Sequence, residues 1–233
     1  MFEARHSIVN QLGWIWLTMA LRGSKALIAT LFPPQCCLCG FPDGSLDLDL
    51  CGFCFDELPW EPEHLPGALV ALRFAPPVDD LIRDLKYRGI TPNARVLGVL
   101  LAQMAKDQAA ALPHLLVPVP LHDARLRERG FNQAAALARY AGRMLGIPVA
   151  PRALRRLRDT PSQTALSVEE RHHNVRGAFG VRNTRELRRL LAAGHVAVID
   201  DVMTTGSTLA EARSVLLAAG VRQADLWAAA RVV

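Results

Sequence analysis

Residues 196–209 hold the groups best suited to chemistry in this chain of 233 residues. An apolar run, Val196 to Ile199, is typical of a strand that is buried on both faces of a parallel sheet. Two carboxylates follow it directly, Asp200 and Asp201. A turn rich in hydroxyl groups comes next and opens a helical pattern: Thr204, Thr205, Gly206, Ser207 and Thr208.

This order of strand, acids, turn and helix predicts a site for a phosphorylated sugar. The N–H groups of such a turn and the positive end of the following helix can hold a phosphate. Two adjacent carboxylates suit the hydroxyls of a ribose or a magnesium ion. The alternative is a helix that is capped by Ser or Thr after a buried strand. The adjacent acids and the full hydroxyl turn favour the phosphate-and-sugar site.

A second cluster is formed by four cysteines in two C-x-x-C pairs that are eleven residues apart: Cys36, Cys39, Cys51 and Cys54. Four thiolates from two such pairs are typical of a closed, tetrahedral structural zinc site. Disulfides or a redox role are the alternatives, but disulfides need an oxidising compartment and no secretion signal is present. We therefore predict a small zinc-ribbon-like module at 32–60, with Cys37 as an additional thiol.

The length fits one medium domain or one domain with a small annex, since about 150 residues per domain is the usual size. Half of the residues are hydrophobic and a fifth are charged, which argues against disorder. The formal net charge is +5, carried almost entirely by Arg. This excess reflects either a compositional bias or attraction to the phosphates of a nucleotide or nucleic acid.

The N-terminal segment, residues 1–31, is predicted to form an amphipathic helix. Its apolar stretch at 8–21 is interrupted by Asn10 and Gln11 and is shorter than the roughly 20 residues that a membrane-spanning helix needs. No signal-peptide cleavage motif follows it. We expect a cytoplasmic protein without a transmembrane span, and leave open a peripheral contact with a membrane.

The remainder, residues 68–233, alternates strand and helix patterns and predicts an α/β fold with a doubly wound, mostly parallel sheet. A proline-rich linker at 56–67 precedes it. The strand Leu115 to Val119 is followed by a loop that contains proline. Open α/β sheets usually bind ligands at the loops that follow the carboxyl ends of their strands. Residues 155–166 lack apolar periodicity and are predicted to form a long mobile loop, as lids often do.

The acidic pair and the Thr-Thr-Gly-Ser-Thr turn resemble the signature of type I phosphoribosyltransferases. Further motifs are similar to those of the ComF family, which is associated with DNA uptake in natural transformation. They are the four cysteines, Leu-Lys-Tyr-Arg-Gly at 85–89, Val-Pro-Val-Pro at 117–120, Arg-Gly-Phe-Asn-Gln at 129–133 and a Gln163…Arg171-x-x-Asn174-x-x-Gly177 pattern. The resemblance spans about residue 30 to the C-terminus.

The resemblance implies a role for each part of the site. The turn Thr204 to Thr208 would hold the 5′-phosphate of phosphoribosyl pyrophosphate, and Asp200 and Asp201 would serve the ribose 2′ and 3′ hydroxyls. The loop at 119–123, including Val119 and Pro120, would hold pyrophosphate, and the loop at 155–166 would close over the centre. The leaving group needs cations or magnesium, for which the candidates are Lys86, Arg125, Arg129 and Arg155 or Arg156.

The predicted function is the transfer of phosphoribose, with magnesium, to an acceptor that the sequence does not indicate, in a role linked to DNA uptake. One alternative is a non-catalytic protein that binds a nucleotide or phosphoribosyl pyrophosphate. Another is a partner of DNA-import proteins that handles single-stranded DNA. Asn132 and Gln133 either cap the following helix or contact a ligand, and the sequence leaves the oligomeric state open.

Overall fold

The computed structural model describes the following residues: 35–42, 48–61, 65, 67–158, 175–182, 188, 192 and 194–233. The N-terminal helix predicted for 1–31 lies outside these residues. Within them, no helix is both long and apolar enough to cross a membrane. The chain separates into two compact units, Met1–Asp56 and Glu57–Val233.

The first unit is organised around two tight turns that carry the cysteines. Gly40 has a φ of 73°, and its N–H donates to the carbonyl of Cys36 at 2.8 Å. Such a left-handed position is accessible to glycine at little cost. Helix α1 (Gly52–Asp56) begins directly after Cys51 and carries Cys54 on its first turn.

The described residues of the second unit form eleven further helices and strands and one π-helical turn. In chain order they are β1 (Ala68–Arg73), α2 (Val78–Arg83) with a π-helical turn (Asp84–Arg88), α3 (Pro92–Gln108), β2 (Leu115–Pro118), α4 (Asp123–Arg129), α5 (Gln133–Leu145), β3 (Leu154–Arg156), β4 (Phe179–Val181), β5 (His195–Met203), α6 (Ser207–Ala218) and β6 (Gln223–Arg231).

Four of these strands form one parallel sheet in the order β1–β6–β5–β2. Helices α3 and α5 contact each other and the sheet, and α6 contacts β5 and β6. Adjacent residues of a strand face opposite sides of a sheet: Val117 belongs to the apolar core that includes α6, while Leu116 approaches Gly142 of α5. Helices therefore cover both faces, and the predicted doubly wound α/β fold is confirmed.

The α3–α5 contact is close because Gly98 has no side chain. A Cβ atom at this position would lie 2.6 Å from the carbonyl oxygen of Leu137, closer than real Cβ contacts allow. The two helices therefore pack almost backbone to backbone at this point.

The register leaves one strand end projecting. Strand β2 ends at Pro118, which pairs with Ile199, whereas β5 continues to Met203 along β6. The four residues from Asp200 onward thus have a strand neighbour on one side only. Space opens beside them at the carboxyl end of the sheet, where open α/β sheets usually bind ligands.

Two segments differ from the expectations. Arg155 and Arg156 lie in β3, which pairs antiparallel with β4, so the start of the predicted loop 155–166 is a strand; residues 159–166 lie outside the described part. Within the predicted linker 56–67, Trp60 forms an antiparallel bridge with Leu72, and Glu61 Oε2 accepts from Arg231 Nε at 2.9 Å. Part of this linker therefore pairs with the sheet edge.

Candidate functional site

A cleft of about 770 Å³ lies at the carboxyl end of the parallel sheet. Its floor is formed by the projecting end of β5 and by the turn that begins α6. Its walls come from the π-helical turn, the loop after β2, helix α4 and the first turn of α5. The cleft brings together the acid pair, most of the hydroxyl turn and several cations that are far apart in the sequence.

The acid pair occupies the projecting end of β5. Asp201 is 3% exposed, while Asp200 is partly buried. The N–H of Asp201 donates to Asp200 Oδ1 at 2.9 Å, which holds the first carboxylate close to the backbone. Because neighbouring residues of a strand point to opposite faces, the two acids have different surroundings although they are adjacent in the chain.

Lys86 reaches the acid pair from the π-helical turn. Its Nζ lies 2.5 Å from Asp201 Oδ2. Leu85 on the same turn is fully buried, and the turn ends at Gly89, which has a φ of 67°. A π-helical turn contains more residues than an α-helical one and is common at functional sites. Here it turns Lys86 into the cleft while Leu85 stays in the core.

These contacts shift three pKa values. Burial and the negative charge of Asp201 raise the pKa of Asp200 well above its usual range. Burial opposes the ionisation of Asp201, but the ammonium of Lys86 outweighs it and lowers the pKa of Asp201. For Lys86, burial is likewise outweighed by Asp201, and its pKa is raised. Asp201 is thus the acid of the pair that ionises more readily, and Asp200 is the carboxyl that more readily holds a proton.

The hydroxyl turn forms the start of α6. Gly206, with a φ of 75°, precedes the first residue of the helix and provides no side-chain cap. The hydroxyls of Thr205 and Ser207 lie 2.7 Å apart, and the N–H of Ser207 points to Thr205 Oγ1 at 3.4 Å. Thr204, Gly206, Ser207 and Thr208 line the cleft; Thr205 is not among the lining residues.

Four of the five predicted cations line the cleft, and Arg155 does not. Arg125, Arg129 and Arg156 line the cleft together with Lys86. Arg155 does not, because it is exposed on β3, where its neighbour Arg156 lies 5.5 Å from the ring centre of Phe179. In the loop after β2, Val119 lines the cleft and Pro120 is buried outside its lining.

The structure separates Asn132 from Gln133, for both of which the sequence left helix capping and ligand contact open, and it adds two residues to the cleft. Asn132 caps α5, since its Oδ1 accepts from the N–H of Ala135 at 3.2 Å and its Nδ2 donates to the carbonyl of Val119 at 2.9 Å. Gln133 instead enters the cleft, as do Tyr87 and Phe131. The Arg-Gly-Phe-Asn-Gln run was the available signal, but it did not separate the capping residue from the cleft residue.

The acid pair does not fit a magnesium site as it stands. One oxygen of Asp201 is already paired with the ammonium of Lys86, and one oxygen of Asp200 accepts a backbone N–H. Magnesium prefers oxygen ligands in a near-ideal octahedron, so a cation in direct contact with Asp201 would have to displace Lys86.

The four cysteines of the first unit form a cluster that could hold a metal ion. The sulfurs of Cys36, Cys39, Cys51 and Cys54 all lie within 4.8 Å of one another. Cys39 Sγ and Cys51 Sγ are 3.7 Å apart, and the N–H of Cys54 points to Cys51 Sγ at 3.5 Å. Burial opposes the ionisation of Cys36, but backbone N–H groups outweigh it and lower its pKa to about 6.

Fold and cleft together define an α/β protein with a polar ligand site at the carboxyl end of a parallel sheet. No family model matches the chain. Competence protein F of Haemophilus influenzae is 32% identical over 198 residues, covering 78% of this chain and 84% of that protein. DNA utilization protein YhgH of Salmonella typhi is 33% identical over 204 residues, covering 85% and 84%. The chain belongs to the ComF family.

A solved structure gives a weaker likeness. A glutamine phosphoribosylpyrophosphate amidotransferase from B. subtilis is 21% identical, with a TM-score of 0.37. The match covers 57% of this chain and 25% of the amidotransferase. A likeness at this level has no bearing on fold or function.

The buried ion pair predicts a measurable effect on stability. Lys86→Met leaves Asp201 buried without its counterion, and we expect the free energy of unfolding at pH 7 to fall by about 3 kcal/mol. The double variant Lys86→Met/Asp201→Asn removes both charges and should recover most of this loss. Urea denaturation measures both, with the exposed Lys106→Met as the control.

The pH dependence follows from the direction of the Asp201 shift. Because its folded pKa is lowered, Asp201 stabilises the fold above its unfolded value of about 3.9, and this contribution is lost as the pH falls through the lower folded value. The difference between wild type and Lys86→Met should therefore shrink in acid. Equal losses for the single and double variants at pH 7 would contradict the ion pair.

Proposed function

We propose that this protein binds phosphoribosyl pyrophosphate in the cleft and transfers its phosphoribose to an acceptor. The observation that carries the proposal is the convergence of three groups in one cavity: four residues of the hydroxyl turn (Thr204 and Gly206 to Thr208), the acid pair, and the cations Lys86, Arg129 and Arg156. These match the phosphate, the ribose diol and the pyrophosphate of this one ligand. The resemblance of the acidic pair and the hydroxyl turn to the signature of type I phosphoribosyltransferases supports the same ligand.

The 5′-phosphate belongs at the start of α6. The N-terminus of a helix carries a partial positive charge and N–H donors, both of which favour a phosphate. Gly206 adds no side chain of its own to the turn, and the nearest side chain to it is that of Met203. Ser207 and Thr208 line the cavity from the same turn, and hydroxyl groups are suitable donors to phosphate oxygens.

The ribose belongs above the acid pair. Ionised Asp201 accepts hydrogen bonds from sugar hydroxyls, and Asp200 either accepts or, when protonated, donates. A negative carboxylate beneath the sugar also favours the positive charge that develops at C1 as its bond to pyrophosphate breaks. The electrons of that bond leave with pyrophosphate, and the lone pair of the acceptor forms the new bond to C1.

The departing pyrophosphate gains negative charge, which the cations on the cleft wall stabilise. Lys86 and Arg129 are close enough for Arg129 to oppose the protonation of Lys86, and Arg125 and Arg156 line the same cavity. Magnesium in this proposal accompanies the diphosphate and is not held by the acid pair. Transfer releases pyrophosphate, which separates an enzyme from a protein that only binds the ligand.

The cellular setting is proposed from the relatives. Their names, competence protein F and DNA utilization protein, refer to DNA uptake or use, and we propose a role for this chain in the same process, in the cytoplasm beside the DNA-import proteins.

Ligand binding provides the first test. We expect phosphoribosyl pyrophosphate to bind the wild type in isothermal titration calorimetry, and Asp201→Asn to weaken binding tenfold or more, because hydrogen bonds to a charged group contribute about 1.5–3 kcal/mol. Asp107→Asn, an exposed acid at the end of α3, should bind as the wild type does. Equal affinities for all three proteins, with or without magnesium, would exclude this site.

For the four-cysteine cluster we propose structural zinc. A tetrahedron of Zn–S bonds of about 2.3 Å separates its sulfurs by roughly 3.8 Å, close to the 3.7 Å between Cys39 and Cys51. The short helix α1 and the glycine turns aim all four sulfurs at one point, as a closed site requires.

Metal analysis tests the zinc proposal. One zinc per chain should be found in the wild type, and Cys51→Ser should lose it together with thermal stability, since structural zinc contributes directly to folding. Cys37→Ser is the matched control, because Cys37 is a neighbouring thiol outside the cluster. Retention of zinc by Cys51→Ser, or its absence from the wild type, would refute the site.

A second candidate function, binding of single-stranded DNA, is favoured by a group of exposed arginines around the β3–β4 pair. They are Arg152, Arg155, Arg158, Arg176 and Arg182. Arg158 Nη2 donates to the carbonyl of Arg176, and the N–H of Arg182 donates to the carbonyl of Ala153, so the group is spatially continuous. Such a surface can follow a phosphate backbone.

The salt dependence of DNA binding tests this candidate. The double variant Arg152→Gln/Arg155→Gln should reduce the slope of log K against log salt by about 1.4, since each phosphate contact to a single strand contributes about 0.7. Fluorescence anisotropy with an oligothymidine measures the slope. Arg222→Gln, exposed before β6, should leave it unchanged; an equal slope in all three proteins would contradict the surface.

A further inference from the structure

Gln133 is a buried polar residue that lines the cleft. The proposed transfer of phosphoribose assigns it no role. It is the first residue of α5 and 6% exposed. Its Oε1 accepts from Arg129 Nη1 at 2.8 Å, and its amide lies within hydrogen-bonding reach of the carboxylate of Asp201, whose pKa it helps to lower. One side chain therefore touches both a cation of the wall and the acid of the floor.

The chemistry of the two partners sets the orientation of the amide. A guanidinium can only donate hydrogen bonds, and an ionised carboxylate can only accept them. Gln133 must therefore present its oxygen to Arg129 and its NH₂ group to Asp201. Neither a carboxylate nor an apolar side chain can satisfy both partners, which makes glutamine at this position specific to the pairing.

The backbone of Gln133 is held as firmly as its side chain. Asn132, the preceding residue, caps α5 and donates to the carbonyl of Val119 at the end of β2. On the other side of Arg129, the exposed ring of Tyr87 lies 5.6 Å from the guanidinium carbon. Tyr87 follows Lys86 on the π-helical turn. Contacts thus run from Lys86 through Asp201, Gln133 and Arg129 to Tyr87 and back to the same turn.

We propose that Gln133 is a positioning residue that holds Asp201 and Arg129 in one fixed arrangement, so that the sugar and the pyrophosphate of the ligand meet a preorganised site. This inference rests on the proposed function. Without Gln133, Arg129 loses this side-chain hydrogen bond and keeps its contact with Tyr87, and Asp201 keeps Lys86 but loses a neighbouring donor. Loss of Gln133 therefore weakens ligand binding and raises the lower apparent pKa of the acid pair.

Two substitutions separate the two halves of this role. Gln133→Met fills a similar volume and removes both hydrogen bonds. Gln133→Glu keeps an acceptor for Arg129 but cannot donate to Asp201 and places a second negative charge beside it. Gln103→Met on α3 is the matched control, because Gln103 lies outside the cleft lining and its buried amide oxygen has no hydrogen-bond partner.

Two measurements are made on each protein. Calorimetry with phosphoribosyl pyrophosphate should show binding about tenfold weaker for Gln133→Met and weaker still for Gln133→Glu. Carbon-13 NMR titration of the aspartate carboxyls, assigned with Asp201→Asn, should show the lower apparent pKa of the acid pair moving upward in both variants, more in Gln133→Glu. Gln103→Met should change neither.

The outcomes are distinct. If both variants fold with the wild-type carboxyl titration, Gln133 does not position Asp201 and the inference is overturned. If the titration moves but affinity is unchanged in a wild type that binds the ligand, the link to the site is overturned. If the titration moves and the wild type binds no phosphoribosyl pyrophosphate, the positioning of Asp201 is supported and the proposed function fails instead.

Discussion

The cleft depends on the contact between Lys86 and Asp201. A buried carboxylate without a partner is costly, and the ammonium at 2.5 Å is what allows Asp201 to remain ionised at the floor of the site. The contact also joins two segments that are distant in the chain, the turn after α2 and the end of β5. Because the pair differentiates Asp201 from Asp200 electrostatically, it converts two adjacent acids of the same type into one fixed anion and one group that can hold a proton.

The sheet register explains why this contact can form. If β2 were as long as β5, its backbone would pair with Asp200 to Met203 and close the space into which Lys86 and Gln133 reach. The early end of β2 at Pro118 leaves that side of β5 to side chains from α5 and from the π-helical turn. Asn132, which caps α5 and donates to the carbonyl of Val119, holds the first turn of α5 beside this opening.

Much of this arrangement could be predicted from the sequence because the residues that indicate it are close together in the chain. The buried strand, the acids and the hydroxyl turn are consecutive in the chain. The choice between Arg155 and Arg156 could not be made, since a strand of three residues has no periodicity that reveals which side chain faces inward. The π-helical turn has no sequence signature, and Gln133 acquires its partners only through tertiary contacts. What the sequence missed is side-chain direction.

The π-helical turn at Asp84–Arg88 makes the site sensitive to chain length at one point. Successive residues of an α-helix are about 100° apart around its axis, so a single-residue deletion before Lys86 would rotate the ammonium away from Asp201 while leaving composition, charge and hydrophobic content almost the same. A chain of this kind could keep every other residue of the cleft and still lack the cation at its floor. In comparing related chains, the spacing between Leu85 and Gly89 is therefore as informative as the identity of the lysine.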